Sequence, residues 1–160
     1  MSDLFFDESI ILLDLEGNTK EEVLTKMGNN LVEKDLVKSS FINAIIAREG
    51  EFATGLPTAG VSVAIPHTDV EHVNRKTISV AVLKDPVDFG IMGDDEATTP
   101  VKLVFMLAMD KAHDQLALLQ RLMQIFQDED TLNYLANEKS GTAIKNLLAS
   151  KLEFSLEGGE

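Results

Sequence analysis

Apolar residues recur at helical spacing in the first third of the chain and again in its last third. Near the start, Thr19 and Glu22 form a capping-box pattern ahead of a segment with one apolar face. A second helix is predicted from Ser39 or Ser40, and Gly50 is expected to end it. The predicted helical segments are 20–35, 39–50, 113–130, 131–138 and 140–152.

Short apolar runs rich in β-branched residues predict strands between these helices. The run 77–83 alternates polar and apolar residues, which favours a strand with one polar face. The run 101–109 is almost continuously apolar, which is typical of a buried central strand. An acidic loop is expected between them at 88–100. The predicted strands are 10–15, 60–65, 77–83 and 101–109.

Helices on both sides of a strand cluster predict an α/β fold, a single-domain sandwich with a mixed β-sheet flanked by helices. No repeat or linker divides the chain. The domain is expected to span residues 1–155, and residues 156–160 are expected to form a frayed C-terminal tail.

The charge of the chain restricts its partners. The formal net charge is −13, which disfavours binding to nucleic acid and to anionic lipid and favours a basic protein partner, although acidity also simply aids solubility. With no cysteine, disulfides and thiol chemistry are excluded. No apolar run approaches the ~18 residues of a membrane span, and the N-terminus lacks a signal-peptide layout, so a cytoplasmic protein without direct membrane insertion is expected.

Two of the three histidines lie in one short stretch, "VAIPHTDVEH" at 63–72. A metal site is one interpretation, because the side chains there include nitrogen and oxygen ligands. Their spacing lacks the helical i, i+4 histidine pair of known zinc motifs, and such clusters also arise by chance in loops. The sequence therefore predicts no metal and no cofactor. The four candidate ligands are His67, Asp69, Glu71 and His72.

A nucleophilic histidine is the second interpretation of this stretch. Neutral imidazole has a free lone pair near pH 7, and a phosphoryl group on that nitrogen is readily passed on. Pro66 stiffens the backbone before His67, His113 follows the predicted buried strand, and Arg48 lies near the end of the second helix. A loop rich in threonine and glycine could hold an anion through Thr54, Gly55 and Thr58. Each residue also has a plain structural interpretation, as a surface, capping or turn residue.

Two segments together resemble a known family. The segment "AREGEFATGLPTAGVSVAIPHTDVEHV" (47–73) contains Arg-Glu, Thr-Gly and Ala-Ile-Pro-His in the family's order, and "AHDQLALLQRLMQIFQDEDTLNYL" (112–135) opens a leucine-rich helix with a histidine. These motifs resemble the type-2 enzyme IIA (fructose/mannitol/galactitol type) of the bacterial phosphoenolpyruvate:sugar phosphotransferase system (PTS). The phrasing is most similar to galactitol-type proteins.

The resemblance implies a phosphotransferase component that works through a phosphohistidine. His67 would accept a phosphoryl group from phospho-HPr as a tele-phosphohistidine and pass it to a cysteine of a IIB protein, which serves a membrane IIC permease. His113 would orient His67 or stabilise the phosphoryl group, and Arg48 would stabilise its charge. Thr54, Gly55 and Thr58 would form the phosphoryl-binding loop.

Two other functions remain open at the level of sequence. One is a regulatory protein similar to the nitrogen-regulatory paralogues, whose phosphorylation state controls another protein. The other is a metal-dependent hydrolase at His67, Asp69 and His72. Because IIA does not contact the sugar in the family's scheme, no residue of the chain specifies which sugar is transported.

Overall fold

A long β-hairpin forms the centre of the sheet in the computed structural model, which describes residues 4–152 and 156–157. Its arms are β5 (Thr77–Ile91) and β6 (Asp94–Ala108), which pair in antiparallel fashion. The turn between them contains Gly93, whose φ of 81° lies in the left-handed region that glycine adopts without strain.

The prediction of an acidic loop at 88–100 was wrong, because both arms continue through that segment. Phe89 pairs with Thr99, and Gly90 pairs with Thr98. Val87 and Phe89 are buried whereas Asp88 is exposed, so the two-residue period of a strand is present. The glycines and acidic residues around these positions masked that period in the sequence.

The remaining strands complete a mixed sheet, which confirms the predicted fold class. They are β1 (Leu4–Phe5), β2 (Ile11–Leu15), β3 (Gly55–Leu56), β4 (Ser62–Ala64) and β7 (Leu156–Glu157). β4 runs parallel to β6 and antiparallel to β3, whereas β1 and β2 both run parallel to β5. Along the sheet the order is β3-β4-β6-β5-β1-β7, and β2 also pairs with β5.

At the C-terminus, the predicted frayed tail of residues 156–160 differs from the structure at its first two residues. Leu156 and Glu157 form β7, which pairs with β1 in parallel fashion. The free edge of β1 offers backbone groups that an extended segment can satisfy. Residues 158–160 lie outside the described residues.

Five helices pack around the sheet within the described part of the chain. Thr19 caps the first one as predicted, because its side chain accepts a hydrogen bond from the Glu22 N–H. The second helix passes through Gly50 and ends at Glu51, since the exposed Gly50 has a helical backbone and needs no left-handed turn. The helices are α1 (Lys20–Glu33), α2 (Ser40–Glu51), α3 (Ala112–Ile125), α4 (Glu129–Asn137) and α5 (Gly141–Leu152).

The first half of β5 is buried on both faces, contrary to the polar face that its alternation predicted. The Thr77 hydroxyl donates to the Phe5 carbonyl, and the Ser79 hydroxyl donates to the Ile10 carbonyl. Hydrogen bonds to neighbouring backbone therefore satisfy these polar side chains inside the core. Among the described residues, no helix combines the length and apolar character needed to cross a membrane.

Candidate functional site

His67 lies at the point where β4 leaves the sheet. β4 ends at Ala64, and the buried Ile65 and Pro66 continue the chain to His67, whose side chain is half-buried. The Leu107 N–H donates to the Pro66 carbonyl at 2.9 Å, which ties this exit to the end of β6. His67 therefore directly follows a segment that a backbone hydrogen bond fixes to the end of β6.

A backbone hydrogen bond fixes which ring nitrogen of His67 carries the proton. Nδ1 lies 2.8 Å from the carbonyl oxygen of Ile65. A carbonyl oxygen can only accept, so Nδ1 must be the donor and must carry the hydrogen. In the neutral ring the lone pair is then on Nε2. Nε2 is the nitrogen that can attack an electrophile.

The surroundings of His67 keep its ring neutral. Burial lowers the pKa of His67 below its ordinary value of 6.5, and the positive charge of Arg48 lowers it further. The hydrogen bond to Ile65 acts in the opposite direction but has a smaller effect than burial. His67 is therefore unprotonated, and its Nε2 lone pair is free, at neutral pH.

Arg48 supplies positive charge from the last turn of α2. Its guanidinium carbon lies 4.8 Å from the centre of the Phe52 ring, a cation–π contact at the end of the helix. Phe52 is 59% exposed, whereas Arg48 is half-buried. The positive charge of Arg48 is one of the causes that lower the pKa of His67.

Glu49 is a buried carboxylate for which the sequence predicts no role. It is 2% exposed and lies on the buried face of α2 with Phe41 and Ile45. Its two oxygens accept from the backbone N–H of Thr54 at 2.8 Å and from the Thr54 hydroxyl at 2.7 Å. The i, i+4 spacing from Phe41 through Ile45 was the signal that could have identified Glu49 as a buried acid.

The Thr54 hydroxyl also reaches the strand that precedes His67. Its oxygen accepts the Ile65 N–H at 3.2 Å while its hydrogen is donated to Glu49. Burial raises the pKa of Glu49 above its ordinary value of 4.5, and the two hydrogen bonds from Thr54 oppose this shift. A hydrogen-bonded path therefore runs from Glu49 through Thr54 to Ile65, the residue that holds His67.

The other predicted loop residues make protein contacts of their own. A Cβ atom on Gly55 would lie 2.4 Å from the Gly90 carbonyl oxygen, so only glycine fits there without a backbone shift. The Thr58 hydroxyl donates to the Val61 carbonyl at 2.6 Å and accepts the Gly60 N–H at 3.0 Å. These bonds, like those of Thr54, engage the hydroxyl hydrogens and shape the loop.

His113 is the second residue of α3 and is exposed. The next residue, Asp114, is buried and accepts a hydrogen bond from the buried ammonium of Lys76 at 3.1 Å. Lys76 directly precedes Thr77, which pairs with Ala108 at the end of β6. The ion pair therefore fixes the start of α3 near the sheet edge where His67 emerges. The hydrogen bond from Nδ1 to the Ile65 carbonyl is one contact that orients the His67 ring.

The four residues of the metal interpretation are not gathered as a ligand set. His72 lies in a 3₁₀ turn (Val70–His72), and its Nδ1 is 2.8 Å from the Ser40 hydroxyl. Within residues 4–152 and 156–157, no three His, Cys, Asp or Glu side chains are close enough to hold one metal ion together.

Comparisons with known proteins agree with the motif resemblance. The chain is 38% identical over 148 residues to multiphosphoryl transfer protein 2 of Escherichia coli K12, covering 89% of this chain but 17% of that protein's length. It is 33% identical over 135 residues to the PTS system galactitol-specific EIIA component of the same strain, covering 84% of this chain and 86% of the relative. In fold it matches a chain of the Escherichia coli complex of enzyme IIAMTL and phosphorylated enzyme IIBMTL, with a TM-score of 0.71, 22% identity, and coverage of 94% and 98%.

The model of a single family matches nearly the whole chain. This family is described as "Phosphoenolpyruvate-dependent sugar phosphotransferase system, EIIA 2", and its model matches residues 4–151. The match includes every site residue described above and confirms the resemblance drawn from the two motifs. The chain therefore belongs to the type-2 EIIA family of the phosphoenolpyruvate-dependent sugar phosphotransferase system.

Proposed function

We propose that His67 is the phosphoryl carrier of this chain and that Nε2 is the nitrogen that bears the phosphoryl group. The observation that carries this proposal is the 2.8 Å hydrogen bond from His67 Nδ1 to the Ile65 carbonyl. That bond places the proton on Nδ1, so the lone pair is on Nε2. The lowered pKa of His67, caused chiefly by burial, keeps that lone pair unprotonated.

The transfer step requires no change in the protonation of His67. The Nε2 lone pair attacks the phosphorus of a phosphohistidine on the donor, which we propose to be HPr. An N–P bond forms at Nε2 while the donor's N–P bond breaks, and its electron pair returns to the donor imidazole. The His67 ring gains positive charge as the new bond forms, and the Nδ1–H···O bond to Ile65 strengthens with it. Departure of the phosphoryl group to an acceptor then restores a neutral imidazole.

Two cationic or polar groups meet the charge of the phosphoryl group in this proposal. Arg48 already acts on the His67 ring, and its guanidinium has a fork of donors suited to phosphoryl oxygens. His113, at the start of α3, contributes from the neighbouring edge of the sheet. Thr54, Gly55 and Thr58 shape the phosphoryl-binding loop.

The acceptor in this proposal is a cysteine of a cognate IIB protein, which serves a membrane IIC component. The fold match to a chain from a complex of enzyme IIAMTL with phosphorylated enzyme IIBMTL supports a IIB partner. The likeness to a galactitol-specific EIIA component supports a polyol such as galactitol as the transported sugar. Such a carrier would act in the cytoplasm.

Reconstitution tests the assignment directly. The chain is incubated with enzyme I, HPr and phosphoenolpyruvate, and acid-labile phosphate is measured together with the ³¹P NMR spectrum. Wild type is expected to carry one phosphoryl group on Nε2, His67→Ala none, and the control variant His72→Ala the wild-type amount. Undiminished labelling of His67→Ala would overturn the assignment.

A further inference from the structure

We propose that Glu49 is a positioning residue for the phosphoryl-accepting histidine. Through Thr54, Glu49 holds Ile65 in the orientation in which its carbonyl accepts from His67 Nδ1, so that Nε2 stays the reactive nitrogen. The proposal rests on the proposed phosphoryl-carrier function of His67. It adds a residue that touches neither His67 nor the phosphoryl group.

The contacts form an unbroken series from Glu49 to His67. Glu49 accepts both donors of Thr54 at 2.8 and 2.7 Å, and Thr54 accepts the Ile65 N–H at 3.2 Å. Ile65 in turn accepts from His67 Nδ1 at 2.8 Å. Glu49 and Ile65 are both fully buried, and Thr54 is 3% exposed, so water does not compete for these bonds.

The direction of each bond depends on an acceptor at position 49. Because both Thr54 groups donate towards Glu49, its hydroxyl oxygen is free to accept from Ile65. A carboxylate is acceptor-only, whereas a glutamine of the same shape has one acceptor oxygen and one donor amide. Glutamine can satisfy only one Thr54 donor: its amide either opposes the Thr54 N–H or competes with the Ile65 N–H for the Thr54 oxygen. In both cases Ile65 is held less firmly than by the carboxylate.

A less firmly held Ile65 carbonyl changes which ring nitrogen of His67 carries the proton. An imidazole without a directing acceptor carries its proton mainly on Nε2 in water, which leaves the lone pair on Nδ1. A looser Ile65 carbonyl therefore increases the Nε2–H tautomer. That tautomer has no lone pair on Nε2 to attack phosphorus. The same loosening lets Nδ1 accept a share of the phosphoryl groups, which the wild-type bond prevents.

Glu49 is also costly to keep as a purely structural group. Burial raises the pKa of Glu49 and so disfavours its charge. Both of its hydrogen bonds come from the neutral Thr54, and the positive charge of Lys20 opposes the shift less than those bonds do. A neutral residue of similar shape would remove that cost. Removing the buried charge offsets part of the cost of the lost Thr54 hydrogen bond, so Glu49→Gln is expected to fold while losing control of the His67 tautomer.

The test measures the tautomer and the site of phosphorylation separately. Long-range ¹H–¹⁵N NMR of the full chain gives the Nδ1–H to Nε2–H ratio of His67, and ³¹P NMR after reaction with enzyme I, HPr and phosphoenolpyruvate gives the phosphorylated nitrogen. In Glu49→Gln the tautomer ratio is expected to shift towards Nε2–H by roughly two- to tenfold, the range that one hydrogen bond supports. A share of Nδ1-phosphohistidine should accompany it.

Matched variants separate positioning from general damage. Glu51→Gln, which removes an exposed carboxylate from the same end of α2, should leave both ratios at wild-type values. Thr54→Val should reproduce the Glu49→Gln shift, and Thr54→Ser should retain the wild-type ratio; they also serve if Glu49→Gln does not fold. Wild-type ratios in both Glu49→Gln and Thr54→Val would overturn the proposal. The tautomer measurement needs no phosphorylation, so failure of wild type to accept phosphate from HPr would overturn the carrier function alone.

Discussion

The ion pair between Lys76 and Asp114 allows a quantitative prediction about how the start of α3 is held. Replacing Asp114 by Asn removes the carboxylate that lies 3.1 Å from the Lys76 ammonium, and the two side chains are only 2% and 11% exposed. Breaking a buried pair on one side typically costs about 3–5 kcal/mol, because the attraction that offsets the desolvation of both charges is lost. We expect Asp114→Asn to lower the free energy of unfolding by this amount.

A second ion pair in the same chain provides the matched control. Lys139 and Asp14 are 3.7 Å apart, with side chains 75% and 64% exposed. Water screens such a pair, and exposed pairs contribute about 0–1 kcal/mol. Asp14→Asn should therefore change stability little, although it removes the same kind of carboxylate.

Urea unfolding followed by circular dichroism measures the free energy of unfolding of both variants, and a thermal scan measures their Tm. For a chain of this size, the loss in Asp114→Asn corresponds to a Tm lower by roughly 6–20 °C, since each kcal/mol shifts Tm by about 2–4 °C. If Asp114→Asn costs no more than Asp14→Asn, the pair does not hold α3, and the reasoning about the placement of His113 fails.

Other predictions follow from Gly55 and from the environment of His67. Gly55→Ala should destabilise the fold by about 1–3 kcal/mol, since its Cβ would meet the Gly90 carbonyl oxygen at 2.4 Å. Gly50→Ala, in open space on α2, should instead stabilise the fold by about 0.5–1 kcal/mol. Thermal unfolding compares the stability of the two variants. By NMR titration, Arg48→Gln should raise the pKa of His67, because it removes one of the two causes that lower it; an unchanged midpoint would contradict a contribution from that charge. Because the pKa of His67 is lower in the folded chain, the imidazole of the unfolded chain is protonated first as pH falls. The stability that neutral His67 contributes is therefore present above pH 6.5 and is lost as pH falls below it. Unfolding free energies of wild type and His67→Gln at pH 7.5 and 5.5 measure this, and an equal pH dependence would refute it.

Helices and the centres of strands could be predicted from the sequence because their signals are local. The cap at Thr19 and the apolar stripe of α1 lie within one helix, and the structure confirms both. The outer half of the β5–β6 hairpin was missed because its pairing partners, such as Phe89 and Thr99, are identified only once the chain folds back at Gly93. Periodicity within one strand cannot show that pairing.

The site residues likewise fall into those in local motifs, which the sequence predicts, and those whose contacts are distant in the chain. His67 and Arg48 could be predicted as site residues because they stand in short motifs with recognisable chemistry. The ion pair of Asp114 was missed because its partner, the ammonium of Lys76, lies 38 positions earlier in the chain. Sequence alone does not show that the start of α3 lies beside the residue that precedes β5. Glu49 stands beside Arg48 in the motif, but its proposed role depends on its burial. The sequence indicates that burial only through the i, i+4 spacing from Phe41 and Ile45.

The way His67 is held follows from the backbone of the two residues before it. The Ile65 N–H donates to Thr54, the Ile65 carbonyl accepts from His67, and the Pro66 carbonyl accepts from the Leu107 N–H. Pro66 has no N–H, so every backbone polar group of Ile65 and Pro66 has a hydrogen-bond partner within the protein. A backbone carbonyl, unlike a carboxylate, does not titrate in the range where proteins fold. The proton on His67 Nδ1 is therefore held by an acceptor of constant charge, and the choice of Nε2 as the reactive nitrogen should persist at every pH at which the ring is neutral.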